Sequence, residues 1–102
     1  MDHKAEVRFA RSVVKAITDA GYKVSRVGYD GSGGVTFKNA PSLDKVMEYA
    51  TATETGTIEF EDGALCHFVW FVWGNEEDVI GDYSMSFDGI ISPMIDRLHA
   101  SA

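Results

Sequence analysis

The sequence predicts a single α+β domain over residues 1–102. It should hold one antiparallel β-sheet of two hairpins with helices packed on one face, in the order α-β-β-α-β-β-α. Three observations lead there. Apolar residues recur at three- and four-residue spacings in three separate stretches. Between those stretches lie two pairs of β-rich runs, joined at Asp30-Gly31 and at Asp62-Gly63, and Asp-Gly between β-formers is a strong hairpin signal. A chain of 102 residues is one domain with one modest core.

The first helix is expected over residues 4–20, with Phe9, Val13, Ala16, Ile17 and Ala20 on its apolar side. Lys4, Arg8, Arg11 and Lys15 form a basic stripe on another side, and Gly21 suits the C-terminal stop. Residues 22–28 read as a strand, "YDGSGG" as the turn and "VTFK" as the return strand. No Gly-Lys-Ser/Thr follows these glycines, so they mark a hairpin turn and not a phosphate loop. "NAPSLDKVMEYA" opens a second helix, with Pro41 or Ser42 at its start and Leu43, Val46, Met47 and Ala50 as its apolar stripe.

"TIEFE" alternates, with Ile58 and Phe60 facing in and Glu59 and Glu61 facing out. "ALCHFVWFVW" returns as a long strand. "VIGDYSMSF" reads as short extended structure. "ISPMIDRLHA" closes the chain as a helix, with Ser92 as cap, Pro93 in the first turn, and Ile91, Met94, Ile95 and Leu98 toward the core.

The long strand has no polar face. Cys66, Phe68, Trp70 and Val72 fall on one side, and Leu65, His67, Val69, Phe71 and Trp73 on the other. Helices on one face would leave the opposite apolar set in water, which is unusual for a monomer. Three covers are open: the 74–88 segment folding back, a second copy of the chain, or a different protein. Phe68, Val69, Trp70 and Phe71 are therefore the expected interface residues.

Charge is uneven. Residues 1–51 hold eight Lys/Arg and six Asp/Glu, about +2; residues 52–102 hold one and ten, about −9, which sum to the net −7. This acidic half either keeps the protein soluble or faces a partner with a basic surface. The net charge disfavours direct nucleic-acid binding, for which only the basic stripe of the first helix argues.

Catalytic signals are poor. Cys66 and His67 are neighbours on a strand and point opposite ways, so they make no nucleophile-base pair, and Cys66 reads as a small core residue. The histidines and the cysteine lack zinc spacing, and the carboxylates at 76–82 lack the EF-hand pattern. No catalytic residue, metal or cofactor is expected. No apolar run reaches the ~20 residues that span a bilayer. The charged N-terminal stretch has no signal-peptide core, and the lone Cys66 suits a reducing cytoplasm.

"VWGNEEDVIGDYS" resembles a segment of small phage and prophage proteins. Their pattern is an apolar strand, Gly-Asn, an acidic or glycine-rich loop, and Asp-Val-Ile-x-Asp-Tyr-Ser, matched here at Gly74, Asn75, Asp78, Val79, Ile80, Asp82, Tyr83 and Ser84. The hairpin and capped helix of "KVSRVGYDGSGGVTFKNAPSLDKVM" resemble theirs too. The resemblance carries no catalytic residues. It implies a mobile-element setting, in which small acidic proteins bind and block host machinery such as restriction or CRISPR systems.

The sequence-level expectation is therefore a non-enzymatic acidic binding protein of the cytoplasm, engaging its partner through Trp73, Asn75, Glu76, Glu77, Asp78, Asp82 and Tyr83. The rival is a small ligand-binding or enzymatic domain with a pocket around Trp73, Tyr83 and the 76–82 carboxylates.

Overall fold

The computed structural model describes residues 2–29, 31–75 and 78–100. The chain runs α1 (His3–Asp19), β1 (Lys23–Tyr29), β2 (Gly34–Thr36), α2 (Leu43–Ala50), β3 (Thr55–Glu61), β4 (Cys66–Val72), β5 (Ile80–Tyr83), a 3-10 turn at Met85–Phe87, and α3 (Asp88–Ala100). All strand pairs are antiparallel, in the spatial order β2-β1-β3-β4-β5. The α+β class and the two hairpins agree with the sequence, but a fifth strand extends the predicted order. β5 binds the free edge of β4, because the amides left open along an apolar strand need partners.

Local chemistry fixes the helix ends. The Asp2 carboxylate caps α1 by accepting the Ala5 N–H at 2.8 Å. At the other end Gly21 takes φ 105°, its N–H donates to Thr18 O, and the Tyr22 N–H reaches Ile17 O, a Schellman closure. Ser42, and not Pro41, caps α2, its hydroxyl accepting the Lys45 N–H. α3 begins four residues ahead of the expected Ser92 cap. The 3-10 turn winds straight into it, so Ser92 and Pro93 lie inside the helix.

The apolar sides of the three helices meet the inner face of the sheet in one cluster, which includes Val13, Ile17, Ile58, Phe60, Val69 and Phe71. The buried side of α1 is Glu6, Ala10, Val13, Val14 and Ile17, whereas Phe9 is only half-buried and Ala20 is exposed. The stripe is thus rotated from the predicted one, and a glutamate occupies its first turn. Within the basic stripe of α1, Arg11 pairs with Asp44 of α2, and Lys15 with Asp19 at 2.8 Å.

β4 resolves the question of its two apolar faces. His67, Val69 and Phe71 point into the core. Val69 and Phe71, expected at an interface, are fully buried by the chain's own helices. Cys66, Phe68, Trp70 and Val72 line the outer face, so Cys66 is an exposed sheet residue and not a core one.

Candidate functional site

The outer face of the sheet is the first candidate. Antiparallel register sets Glu59 opposite Phe68, Thr57 opposite Trp70, and Asp82 on the far side of Trp70. Trp70 is 39% exposed at the centre of this group, with Phe68 and Val72 half-buried beside it. The register slips by one residue between Trp70 and Phe71, which places Gly81 in a bulge of β5. The indole lies over that bulge: a Cβ on Gly81 would sit 2.6 Å from Trp70 Cε3. On the same face the Arg26 guanidinium crosses Gly28 and Gly34, donates to Gly33 O at 2.8 Å and pairs with Glu59 at 3.0 Å. Glu59 cancels the Arg26 charge, so the β5 side of the face is left with a negative character.

That edge gathers further acid. The Tyr83 hydroxyl donates to Asp88 Oδ1 at 2.8 Å. The phenol is pushed above its ordinary value, first by this hydrogen bond, then by burial, then by the charges of Asp88, Asp82 and Asp96. Asp82 also accepts the Tyr83 N–H at 2.8 Å, which blunts one open donor of the edge strand. Cys66 Sγ lies 3.7 Å from Glu59 Oε1. Burial, the Glu59 charge and hydrogen bond, and the Glu61 charge push the thiol up.

The turn after β4 carries the rest of the expected partner-binding set. Gly74 takes φ 79°. Asn75 is exposed; its Nδ2 donates to Asp78 O at 3.2 Å, and its carbonyl accepts the Asp78 N–H at 3.0 Å. Asp78 is exposed, while Glu76 and Glu77 lie outside the described residues. Trp73 turns inward. Its ring stacks on Phe71 with centroids 5.5 Å apart, and its Nε1 donates to Ala50 O at the end of α2, at 2.9 Å. Tyr83 is opposite Val69, roughly 13 Å along the strand from Trp73 at ~3.3 Å per residue. Trp73 and Tyr83 therefore do not converge. A cavity of about 160 Å³ lies elsewhere, between α1, β1 and the start of α2, lined by Val14, Tyr22, Pro41, Leu43 and Val46.

One constellation went unseen in the sequence. His67 is 9% exposed, held edge-on by Tyr22 at 5.2 Å. Its Nε2 lies 3.3 Å from Asp62 Oδ2, and its Nδ1 lies 2.7 Å from Ser86 Oγ. The Asp62 carboxyl is held below its ordinary value chiefly by the Leu65 N–H and next by its hydrogen bond to His67, against a weaker opposing effect of desolvation. The signal available was a histidine in an apolar strand, which must find polar partners once buried. Its partners lie five residues back and 19 ahead, a distance that periodicity does not reveal.

Among the described residues no cluster of three or more His, Cys, Asp or Glu is arranged to hold a metal, and no helix is long and apolar enough to cross a membrane. No known family profile matches the chain, and no curated protein or solved structure is detectably similar to it.

Proposed function

We propose that the chain is an acidic binding protein that docks a basic protein surface on the outer face of its sheet, with Trp70 as the anchor. The observation that carries this reading is the half-exposed Trp70 on the face of the sheet opposite the buried core, between Phe68 and Asp82. Exposed tryptophans within an apolar patch are typical hot spots. The carboxylates of Asp78, Asp82, Asp88 and Asp96 supply the complementary field, which steers encounter more than it adds affinity. The docking needs no chemistry at this face. The resemblance to phage and prophage proteins supports a target within host machinery, restriction and CRISPR systems included. In the rival reading Trp73 and Tyr83 would line a pocket, but their polar atoms are engaged with Ala50 and Asp88.

The test compares wild-type protein with Trp70→Ser as bait for host proteins, with light scattering alongside. Capture of a basic protein by the wild type, weakened by about 30-fold or more in the folded variant, supports the reading. Capture that ignores Trp70 overturns it. A dimer that Trp70→Ser dissolves would replace it with self-association.

A further inference from the structure

We infer that Ser86, His67 and Asp62 form a nucleophilic serine site that accepts the acyl group of small apolar esters. The three residues come from the β3–β4 turn, from β4, and from the 3-10 turn before α3. Their order of contact is nucleophile, base, orienter, with Ser86 Oγ at 2.7 Å from one ring nitrogen and Asp62 Oδ2 at 3.3 Å from the other. Ionised Asp62 can only accept hydrogen bonds, so the network assigns the proton of the neutral ring to Nε2. Nδ1 then presents its lone pair to Ser86, whose hydroxyl donates to it. The two ring nitrogens exchange the roles they have in most serine hydrolases, but the roles themselves are kept.

The surroundings fit the task. The ring of His67 is fixed by Tyr22 and by Phe87, whose centroid is 5.4 Å away, while Ser86 is exposed and reachable. Among the described residues Leu65 and Met85 are large apolar residues left exposed, at 63% and 80%. Met85 adjoins Ser86. Leu65 stands just before β4, and its N–H donates to Asp62 Oδ1 at 3.1 Å, so its backbone lies beside the orienter. An acyl chain would thus meet exposed apolar residues next in the chain to the nucleophile and next to the orienter. The site is on the helix-bearing side of the sheet, away from Trp70, and is independent of the docking face.

In the step, Ser86 Oγ attacks the ester carbonyl as its proton passes to Nδ1. The leaving oxygen departs and takes that proton, which leaves an acyl-Ser86 ester. Water then attacks the same carbonyl and gives a proton to Nδ1. The carboxylic acid is released and Ser86 recovers its proton. The array supplies a base and an orienter, so it suits activated aryl esters, whose leaving groups depart readily. A positioned base contributes about 10²–10⁴-fold.

The experiment uses the intact chain with 4-nitrophenyl butyrate and, separately, an alkyl fluorophosphonate, with adducts mapped by mass spectrometry. The expected result is one adduct, on Ser86, and hydrolysis about 100-fold above buffer. Ser86→Ala, on the protein surface, should abolish both. Asp62→Asn should lower kcat about tenfold or more with KM unchanged, the signature of a positioning residue. Labelling of Ser86 no greater than that of Ser12 and Ser42, or hydrolysis retained in Ser86→Ala, would overturn the site and leave the array a purely structural hydrogen-bond network.

Discussion

The carboxylate of Glu6, in the first turn of α1, holds the backbone amide of Gly74, 68 residues away, through oxygens at 2.9 and 3.1 Å. Glu6 is 1% exposed. A buried carboxylate needs donors, and the Gly74 N–H at the tight turn after β4 needs an acceptor. The His3 ring, 3.4 Å from the same carboxylate, packs edge-on against Trp73 and closes the site. Glu6→Ala removes the acceptor and leaves a cavity, so it should cost about 3 kcal/mol. Glu6→Gln keeps an oxygen for the amide and should cost about 1 kcal/mol. Urea denaturation of the two variants checks the difference.

Gly56 and Gly81 should respond differently to alanine. A Cβ at Gly56 meets the carbonyl of Ala50, which is main chain at the end of α2 and cannot withdraw. A Cβ at Gly81 meets side chains alone, the ring of Trp70, which has solvent to move into, and a methyl of Val72 at 3.1 Å. Gly56→Ala should cost about 3 kcal/mol and Gly81→Ala about 1 kcal/mol, by the strain of overpacking. Gly81→Ala should also shift the tryptophan emission, because it lifts an indole from the sheet. Chemical denaturation and fluorescence spectra together test both expectations.

Acid should expose the tie between Asp62, Leu65 and His67. The Asp62 carboxyl lies below its ordinary value of 3.8 in the folded protein. Its contribution to stability is therefore present above that ordinary value and is lost as pH falls through the lower folded value. Wild-type melting temperature should drop through this acidic window, and Asp62→Asn should flatten that part of the curve. A scan of Tm between about pH 2 and pH 5 gives the comparison. Equal slopes for the two proteins would show that other carboxylates govern the acid response.

The exposed Cys66 thiol should be sluggish. Burial by its neighbours and the negative charges of Glu59 and Glu61 raise its pKa, and the thiolate is the reactive form. Iodoacetamide should modify it more slowly than a free cysteine near neutral pH. Glu59→Gln should speed the reaction severalfold, by removing the nearer charge. Alkylation rates followed by intact mass provide the measurement.

Much of the fold is legible in local pattern. The alternation of Ile58, Glu59, Phe60 and Glu61 gave the right faces of β3, and the Val46, Met47 and Ala50 stripe gave the right side of α2. Glu6 was missed because a charged residue on the Ala10–Val13–Ile17 side of α1 looks like a break in the stripe, until its distant amide is known. β5 was read as extended segment alone, since a four-residue strand with a glycine bulge has little pattern of its own. Of the expected site, Asp82 and Trp70 meet on one face, whereas Trp73 turns into the core.

By itself, the sequence determined the class of fold, the hairpins, the stop at Gly21, and the acidic second half, while it left the cap of α2 between Pro41 and Ser42. These depend on backbone propensity and on periodicities of two and 3.6 residues, which act within a few positions of one another. Only the tertiary structure decided which side of β4 is buried, because both sides are apolar and the choice depends on where the helices land. Only it joined Glu6 to Gly74 and Ser86 to His67. Such pairs form when burial strips water from polar groups and each must take the partner the fold brings near, however far away it lies in the chain.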